Sequence, residues 1–292
     1  MTVGIGIYSG GDPYIGTQPY QGSQAQQLFS LITTAGYTTV VIWAAHIDGS
    51  GNIKINDSLV ILNGSFQSAA QDWATQVAAL KTAKGTKITR LELSIGGDQT
   101  SFANIKSLMT KYGTGSNNPL YKGLSILQSK LGLDAVNYDD ETEFDLPSSE
   151  GLASICVDLN MKVSACAIGG SQDYWVNLIT AVNKAKPGAA DAVYIMTYGG
   201  ADPVAWNGYM KSTGLVVAPG LWACHYDAPG STNCTSSTNA SQVETQIAAW
   251  KKQTSLDGGW MFCGTDMQHC PIGGTVAEYA SAICNGLGNT NC

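Results

Sequence analysis

The chain has 292 residues, and its 22 Asp and Glu residues outnumber its 15 Lys and Arg residues, giving a formal net charge of −7. This balance argues against nucleic acid and against an anionic membrane as partners, because both attract basic proteins. No apolar stretch approaches the roughly 18 residues of a transmembrane helix. Charged residues make up only 13% of the chain, against roughly 25% in an average soluble protein. A surface of neutral polar residues suits an extracellular protein that binds neutral ligands.

Short apolar runs alternate with longer amphipathic runs from one end of the chain to the other. The apolar runs predict eight strands, at Val3–Tyr8, Thr39–Ala45, Thr89–Ile95, Ala135–Tyr138, Lys162–Ile168, Ala192–Tyr198, Leu215–Trp222 and Gly259–Cys263. The amphipathic runs predict helices at Gln24–Thr34, Phe66–Lys84, Phe102–Tyr112, Leu120–Lys130, Tyr174–Lys184, Val243–Thr254 and Val276–Leu287. Such alternation indicates parallel β-α-β units.

Eight such units predict an α/β fold, a single (β/α)8 TIM barrel, which typically needs about 250 residues. We expect residues 1–292 to form one catalytic-type barrel domain without a separate binding module, and to act as a monomer. A doubly wound open sheet is the alternative, but the turn Ser9–Pro13 after the first strand lacks the G-x-G-x-x-G of a dinucleotide site. In a TIM barrel the functional site lies at the carboxyl ends of the strands.

All the cysteines lie in the second half of the chain, at Cys156, Cys166, Cys224, Cys234, Cys263, Cys270, Cys284 and Cys292. An even number in this pattern predicts disulfides and therefore an oxidising compartment. Sequence neighbours suggest three pairs, Cys224 with Cys234, Cys263 with Cys270, and Cys284 with Cys292, although spacing alone leaves the connectivity open. No C-x-x-C pair indicates a zinc site, and we expect neither a metal nor another cofactor.

Secretion is also favoured by four N-x-Ser/Thr sequons, which begin at Asn56, Asn63, Asn233 and Asn239. The first residues read directly as a strand, without the basic region and cleavage site of a signal peptide. We therefore expect a secreted, extracellular protein from which a leader has been removed, or one that carried none.

The stretch LDAVNYDDE at the end of the fourth predicted strand carries the densest chemistry. Alternate residues of a strand share a face, so Asn137, Asp139 and Glu141 point one way. Val136 and Tyr138 point the other way, and if they pack on helices the polar trio faces the barrel interior. Crowding there pushes carboxyl pKa values apart, which is how one group stays protonated as a general acid. The alternative is an acidic loop tip.

The third predicted strand repeats this arrangement. Arg90, Glu92 and Ser94 alternate with apolar residues, and we expect them to face the interior, with Ser94 bonded to a polar residue of the fourth strand. Gly96 and Gly97 follow, where the backbone can turn sharply and leave room for a ligand. A plain turn after a strand is the alternative.

Together these stretches resemble the family 18 glycoside hydrolases, the chitinases and endo-β-N-acetylglucosaminidases. That family carries S-x-G-G on strand three, D-x-x-D-x-D-x-E on strand four and M-x-Y on strand six. The matching residues are Ser94, Gly96 and Gly97, then Asp134, Asp139 and Glu141, and finally Met196 and Tyr198. The Asp-Asp-Glu ending of the second motif is closer to the endo-β-N-acetylglucosaminidase branch.

The resemblance implies a hydrolase of β-1,4 bonds next to N-acetylglucosamine, in chitin, its oligomers or the N-glycan core. In the family's substrate-assisted, retaining mechanism, Glu141 would protonate the glycosidic oxygen. The substrate's own acetamido oxygen would attack the anomeric carbon, with Asp139 and Tyr198 holding that group. The residues expected to bind substrate are Asn137, Ser94, Gly96, Gly97, Tyr8, Trp43, Met196 and Trp222.

Two positions depart from the family pattern. Asn137 replaces the middle aspartate of the strand-four motif, and Cys263 stands where the family often places a tryptophan under the sugar. Trp260 has the wrong parity if Met261 points inward, so we expect it to pack against helices. Another aromatic residue, such as Trp222, would then have to supply the floor.

These departures leave two other functions open. One is a barrel that binds sugar, or inhibits another enzyme, without turnover; Glu141 counts against it, because its loss would most simply abolish catalysis. The other is hydrolysis of a different polysaccharide by an altered site, since fold alone does not fix function. We expect the loops Asp48–Gly64 and Asp227–Asn239 to determine which glycan is bound.

Overall fold

The computed structural model describes residues 2–9, 22–226, 234–235 and 238–289. The strands in these residues are β1 Gly4–Ser9, β2 Thr39–Ile47, β3 Ile53–Ile55, β4 Ser58–Leu62, β5 Ser65–Phe66, β6 Arg90–Gly96, β7 Ala135–Asp139, β8 Lys162–Ala167, β9 Ala190–Met196, β10 Val217–Trp222, β11 His225–Tyr226, β12 Cys234–Thr235 and β13 Gly258–Phe262. The helices are α1 Gly22–Ala35, α2 Gln71–Ala79, α3 Ser101–Tyr112, α4 Pro119–Leu131, α5 Leu146–Asp158, α6 Gln172–Ala185, α7 Pro203–Met210, α8 Ala240–Gln253, α9 Gly264–His269 and α10 Val276–Gly286.

Eight of these strands close a parallel barrel. Their order is β1-β2-β6-β7-β8-β9-β10-β13, and β13 pairs back onto β1. The predicted TIM barrel is therefore confirmed, and each of the eight predicted strands is present within two residues of its expected bounds. The carboxyl ends of all eight strands meet at one mouth, where the site of such a barrel lies.

Helices missed by the sequence prediction are α5, α7 and α9. Two of them carry a proline in the first turn after an aspartate cap: Asp145 accepts a hydrogen bond from Ser148 N–H, and Asp202 accepts one from Val204 N–H. Proline suits the first helical turn because the missing N–H would be unpaired there anyway. In both helices an aspartate followed within two residues by a proline marks the helix start in the sequence.

The alternation of residues along the strands produces two cores. Outward residues such as Ile7, Val136 and Tyr138 belong to the large core between the sheet and the helices. Inward residues such as Tyr8 and Tyr194 belong to a smaller, aromatic-rich cluster inside the barrel. Tyr8 is 1% exposed and lies in the interior cluster, so the inside of the barrel is packed with side chains.

The region Asp48–Gly64 is not an open loop over the barrel mouth. It contains the antiparallel strands β3 and β4, which extend the sheet from the end of β2. Gly123 of α4 lies against this extension, since a Cβ there would be 2.9 Å from Ile53 Cδ1. A short apolar alternation in IKINDSLVIL accounts for the strands. The predicted loop Asp227–Asn239 falls largely outside the described residues.

Two of the suggested disulfide pairs are wrong. Cys234 bonds to Cys270, whereas Cys224 and Cys263 are buried free thiols. The hairpin of β11 and β12 places Cys234 beside the end of α9, where Cys270 follows. The bonded cysteines are therefore not neighbours in the sequence. Cys284 is also disulfide-bonded, and its suggested partner Cys292 lies outside the described residues.

The Cys234–Cys270 bond closes a separation of 36 residues. We expect Cys234→Ser/Cys270→Ser to lower the free energy of unfolding by about 3 kcal/mol, because the unfolded chain regains the entropy of an open loop. Urea unfolding measures this change, and Thr235→Ala, which alters the same strand without the bond, is the matched control. An unchanged unfolding free energy, or a Cys224–Cys234 peptide in a non-reducing digest, would contradict the assignment.

Candidate active site

Polar residues of β6 and β7 face one another inside the barrel. Ser94 pairs with Asn137 and Gly96 with Asp139 in the parallel register of the two strands. Asn137 is fully buried and Asp139 is 3% exposed. The alternation of inward polar and outward apolar residues expected from the sequence is therefore what brings this chemistry to the interior.

A network of hydrogen bonds fixes the Asn137 amide below the mouth. Its Oδ1 accepts from Tyr8 Oη at 2.9 Å, and its Nδ2 donates to Ser164 Oγ at 3.1 Å and to Glu92 Oε2 at 3.3 Å. Glu92 is fully buried, and it also accepts from Ser164 and, at 2.7 Å, from Tyr194 Oη. With these partners the amide has a defined orientation and no donor left for a neighbouring carboxylate.

The buried charge of Glu92 is balanced within the barrel. Arg90 Nε donates to Glu92, and the two other guanidinium nitrogens donate to Asp191 at 2.9 and 2.7 Å. A buried carboxylate costs several kcal/mol unless it is paired and hydrogen-bonded. Arg90 supplies the pairing for Glu92, and the hydrogen bonds from Ser164 and Tyr194 complete its surroundings.

Asp139 lies in the opposite environment, where few hydrogen bonds offset the cost of burying its carboxyl group. Trp43 Nε1 donates to its Oδ2 at 3.3 Å, whereas its buried Oδ1 has no hydrogen-bond partner among the described residues. Burial, followed by the nearby charge of Glu141, raises the pKa of Asp139 to about 7. Near neutral pH this carboxyl group can hold a proton and present an unpaired oxygen to a ligand.

The two glycines after β6 make room for this carboxyl group. Gly96 and Gly97 have φ values of 114° and 64°, which L side chains rarely adopt. A Cβ on Gly96 would lie 2.1 Å from the backbone oxygen of Asp139, and one on Gly97 would lie 3.0 Å from its Oδ2. Both glycines are therefore required by the close approach of β6 to Asp139.

Glu141 lies just beyond the end of β7, where it is exposed at the mouth. The turn that carries it is fixed by buried Asp140, whose carboxylate accepts the backbone N–H groups of Thr142, Glu143 and Phe144 at 2.9–3.2 Å. Partial burial, and then the charge of Asp140, raise the pKa of Glu141. A raised carboxyl pKa favours the protonated form that a general acid needs.

An aromatic wall stands on the opposite side of the mouth. Tyr198 follows β9 in a short 3-10 turn and remains 37% exposed. Its ring lies 5.7 Å from that of Trp222, 5.8 Å from that of Phe262 and 5.9 Å from that of Trp260. Loss of solvent, and then the charges of Cys166, Asp139 and Glu141, raise the pKa of Tyr198, so its hydroxyl group is a hydrogen-bond donor at neutral pH.

The expectation that Trp260 packs against the helices is wrong. Trp260 is fully buried inside the barrel, with its ring 4.5 Å from that of Tyr8, and Met261 faces the outer core instead. Its indole fits because the neighbouring strand offers Gly220, where a Cβ would lie 2.0 Å from the ring. Met261 points outward and Trp260 inward, which is the reverse of the orientation assumed from the sequence.

The other expected site residues lie at different depths. Trp43 and Tyr8 reach the centre, whereas Met196 is buried in the interior cluster. Trp222 stacks on His225 with ring centres 4.3 Å apart, and its Nε1 donates to Asp266 at 2.9 Å. These contacts make Trp222 part of the wall of the mouth.

The hydrogen bond expected from Ser94 to the neighbouring strand is not formed. Its buried Oγ has no hydrogen-bond partner among the described residues, so the expected bond to Asn137 or Asp139 is absent. The donors of Asn137 already point to Glu92 and Ser164, which explains why Ser94 gains none of them.

Two residues of the site were missed by the sequence prediction. Cys166 lies on β8, fully buried with Tyr8 in the interior cluster, and its thiol and the Asp139 carboxyl group each influence the pKa of the other. Asn56 holds the peptide group between Trp43 and Ala44, donating to Trp43 O at 3.4 Å and accepting from Ala44 N–H at 3.3 Å. In the sequence, Asn56 was singled out only as the start of a glycosylation sequon. In the structure, its side-chain amide positions Trp43.

Nothing in the described part of the chain forms a group of three or more His, Cys, Asp or Glu residues able to hold a metal ion. Its helices include none that is both long and apolar enough to cross a membrane.

Known proteins share the fold of this chain at very low sequence identity. A class V chitinase from Nicotiana tobaccum is 11% identical with a TM-score of 0.58, and the match covers 97% of this chain and 98% of that one. For a family 18 chitinase from Cycas revoluta, solved with allosamidin, the values are 10%, 0.59, 96% and 98%. A chitinase-like agglutinin from Robinia pseudoacacia gives 12%, 0.58, 97% and 99%.

The fold is thus that of the family 18 chitinases, as the sequence motifs led us to expect. No protein-family model matches the sequence, and no curated protein does so either.

The raised pKa of Asp139 makes stability depend on pH. Between about pH 4 and pH 7 the folded state keeps a proton on Asp139 that the unfolded state, with an ordinary pKa of 3.8, has released. Rising pH therefore destabilises the folded protein in this window. We expect Asp139→Asn to gain up to about 4 kcal/mol relative to wild type between pH 4 and pH 8. Urea unfolding across this range measures the difference; a pH-independent difference would contradict the assignment.

Proposed function

We propose that this protein is a glycoside hydrolase that cleaves β-1,4 bonds next to N-acetylglucosamine, with retention of configuration and with help from the substrate's acetamido group. The observation that carries the proposal is Asp139, a buried carboxyl group with a raised pKa and an unpartnered oxygen beside the exposed Glu141. An acetamido N–H is a donor of the right kind for that oxygen.

The chemistry requires one acid, and Glu141 takes that role. Glu141 protonates the glycosidic oxygen while the acetamido carbonyl oxygen attacks the anomeric carbon, so that the leaving sugar departs and a cyclic intermediate forms. Water then attacks the same carbon, giving its proton back to Glu141. Asp139 accepts the acetamido N–H, and Tyr198 donates its O–H to the acetamido oxygen. No second carboxylate at nucleophile distance is needed in this scheme.

Asn137 changes how the proton on Asp139 is controlled. Its donors are held by Glu92 and Ser164 and its acceptor by Tyr8, so it neither takes nor gives a proton. The pKa of Asp139 is governed by burial and the charge of Glu141, and it is lowered in part by the hydrogen bond from Trp43. Loss of an aspartate at position 137 is thereby compatible with turnover.

The substrate class follows from the chemistry of the mouth. An aromatic wall and neutral polar groups suit chitin, chitooligosaccharides or the N-glycan core, and two chitinases of this fold were solved with N-acetylglucosamine tetramers. The proposal includes a single catalytic domain acting as a monomer outside the cell, where the Cys234–Cys270 disulfide would be kept.

A sugar-binding barrel without turnover is the second candidate. Cys263 follows β13 where the family often carries a tryptophan, and a chitinase-like agglutinin shares the fold. Against this candidate, the acid that turnover requires is present, because Glu141 lies exposed at the mouth and has a raised pKa.

Glu141→Gln tests the proposal directly. Mass spectrometry of chitooligosaccharides and of a high-mannose N-glycan should show cleavage by wild type and a loss of about 10²–10⁴-fold in the variant, because the acid is gone. Glu143→Gln is the matched control: it lies two residues further along and forms an ion pair with Lys106 at 2.6 Å, away from Asp139.

Equal activity of wild type and Glu141→Gln would refute the role of Glu141. Binding of the oligosaccharides without cleavage by wild type would favour the sugar-binding barrel. Cleavage only of glycans that lack acetamido groups would favour a different polysaccharide.

A further inference from the structure

A lateral groove opens beside the aromatic wall, between the turn after β9 and helix α8. Its volume is about 520 Å³, within the range of small-molecule sites. Tyr198 and Trp222 line it on the side of the barrel mouth, and Trp250 and Gln246 line it on the side of the helix. The groove therefore shares two aromatic residues with the proposed catalytic site.

The lining of the groove contains three aromatic side chains and is neutral apart from Asp202. Trp250 is half-buried, packs against the large core and lines the groove, and Gln246 lies one helical turn before it. Neither the Gln246 amide nor Trp250 Nε1 has a hydrogen-bond partner among the described residues. Thr238 adds a further polar side chain at the rim.

The scarcity of charged side chains in the groove argues against an ionic ligand. Of the described residues that line the groove, Asp202 alone is charged, and its carboxylate caps α7 by accepting the N–H groups of Val204 and Ala205 at 2.7 and 3.4 Å. The described lining therefore offers a charged ligand no other counterion, because the carboxylate of Asp202 is already bonded to the start of α7. A neutral ligand with an apolar face and many hydroxyl groups matches aromatic rings, an amide and a hydroxyl group.

We infer that this groove binds a further sugar unit of a neutral oligosaccharide whose adjoining units occupy the mouth. The inference rests on the proposed function, since the same glycan connects the two places through Tyr198 and Trp222. Trp250 supplies the face on which the sugar ring packs, and Gln246 bonds its hydroxyl groups. Long oligosaccharides should then bind more tightly than short ones.

The test follows two tryptophan indole N–H signals by nuclear magnetic resonance, in the Glu141→Gln protein so that the ligand is not consumed. Trp43 reports on the mouth, because its Nε1 donates to Asp139, and Trp250 reports on the groove. Chitotetraose should shift both signals, and chitobiose should shift Trp43 with little effect on Trp250. Trp43→Phe and Trp250→Phe assign the signals.

Affinity provides the second measurement. Gln246→Ala should weaken chitotetraose binding by about tenfold and leave chitobiose binding unchanged. Gln253→Ala, an exposed residue in the last turn of the same helix, is the matched control and should alter neither.

The outcomes separate the inference from the proposed function. A shift of Trp43 alone with chitotetraose overturns the groove and leaves the proposed function standing. A shift of Trp250 alone contradicts the proposed catalytic site and overturns the inference that one glycan spans the mouth and the groove. Shifts of neither signal overturn both.

Discussion

Two carboxyl groups inside the barrel determine how the rest of the interior is arranged. Glu92 is fully compensated, by Arg90, Ser164 and Tyr194. Asp139 keeps one unpaired oxygen and a raised pKa. The contrast has a physical use, because a satisfied polar layer holds its side chains in one geometry, whereas an unsatisfied group above it is poised to bind. Burial of Asp139 therefore costs stability, whereas the hydrogen bonds and the ion pair of Glu92 offset the cost of burying that carboxyl group.

Precise positioning of Asp139 depends on parts of the chain far from it in sequence. Trp43 reaches its carboxylate because Asn56, in the turn between β3 and β4, bonds to the backbone at Trp43 and Ala44. The extension of the sheet after β2 is therefore a support for the site. It packs sideways on α4.

Much of this arrangement could be predicted from the sequence. The eight strands, the inward face of β7 and the roles suggested for Gly96 and Gly97 rest on periodicity and backbone freedom, which are local properties. Trp260 and the partner of Cys234 could not be found this way, because the first depends on Gly220 in a neighbouring strand and the second on where α9 ends. Cys166 gave no pattern of its own; its place beside Asp139 comes from the register of β8.

The central claim is that the unpaired oxygen of Asp139 and the hydroxyl group of Tyr198 together receive an acetamido group. A crystal structure of the Glu141→Gln protein with a chitooligosaccharide tests this most directly. The account predicts an acetamido N–H within hydrogen-bonding distance of Asp139 Oδ1 and the acetamido oxygen within that distance of Tyr198 Oη. A sugar ordered in the mouth with its acetamido group turned away from both residues would contradict it.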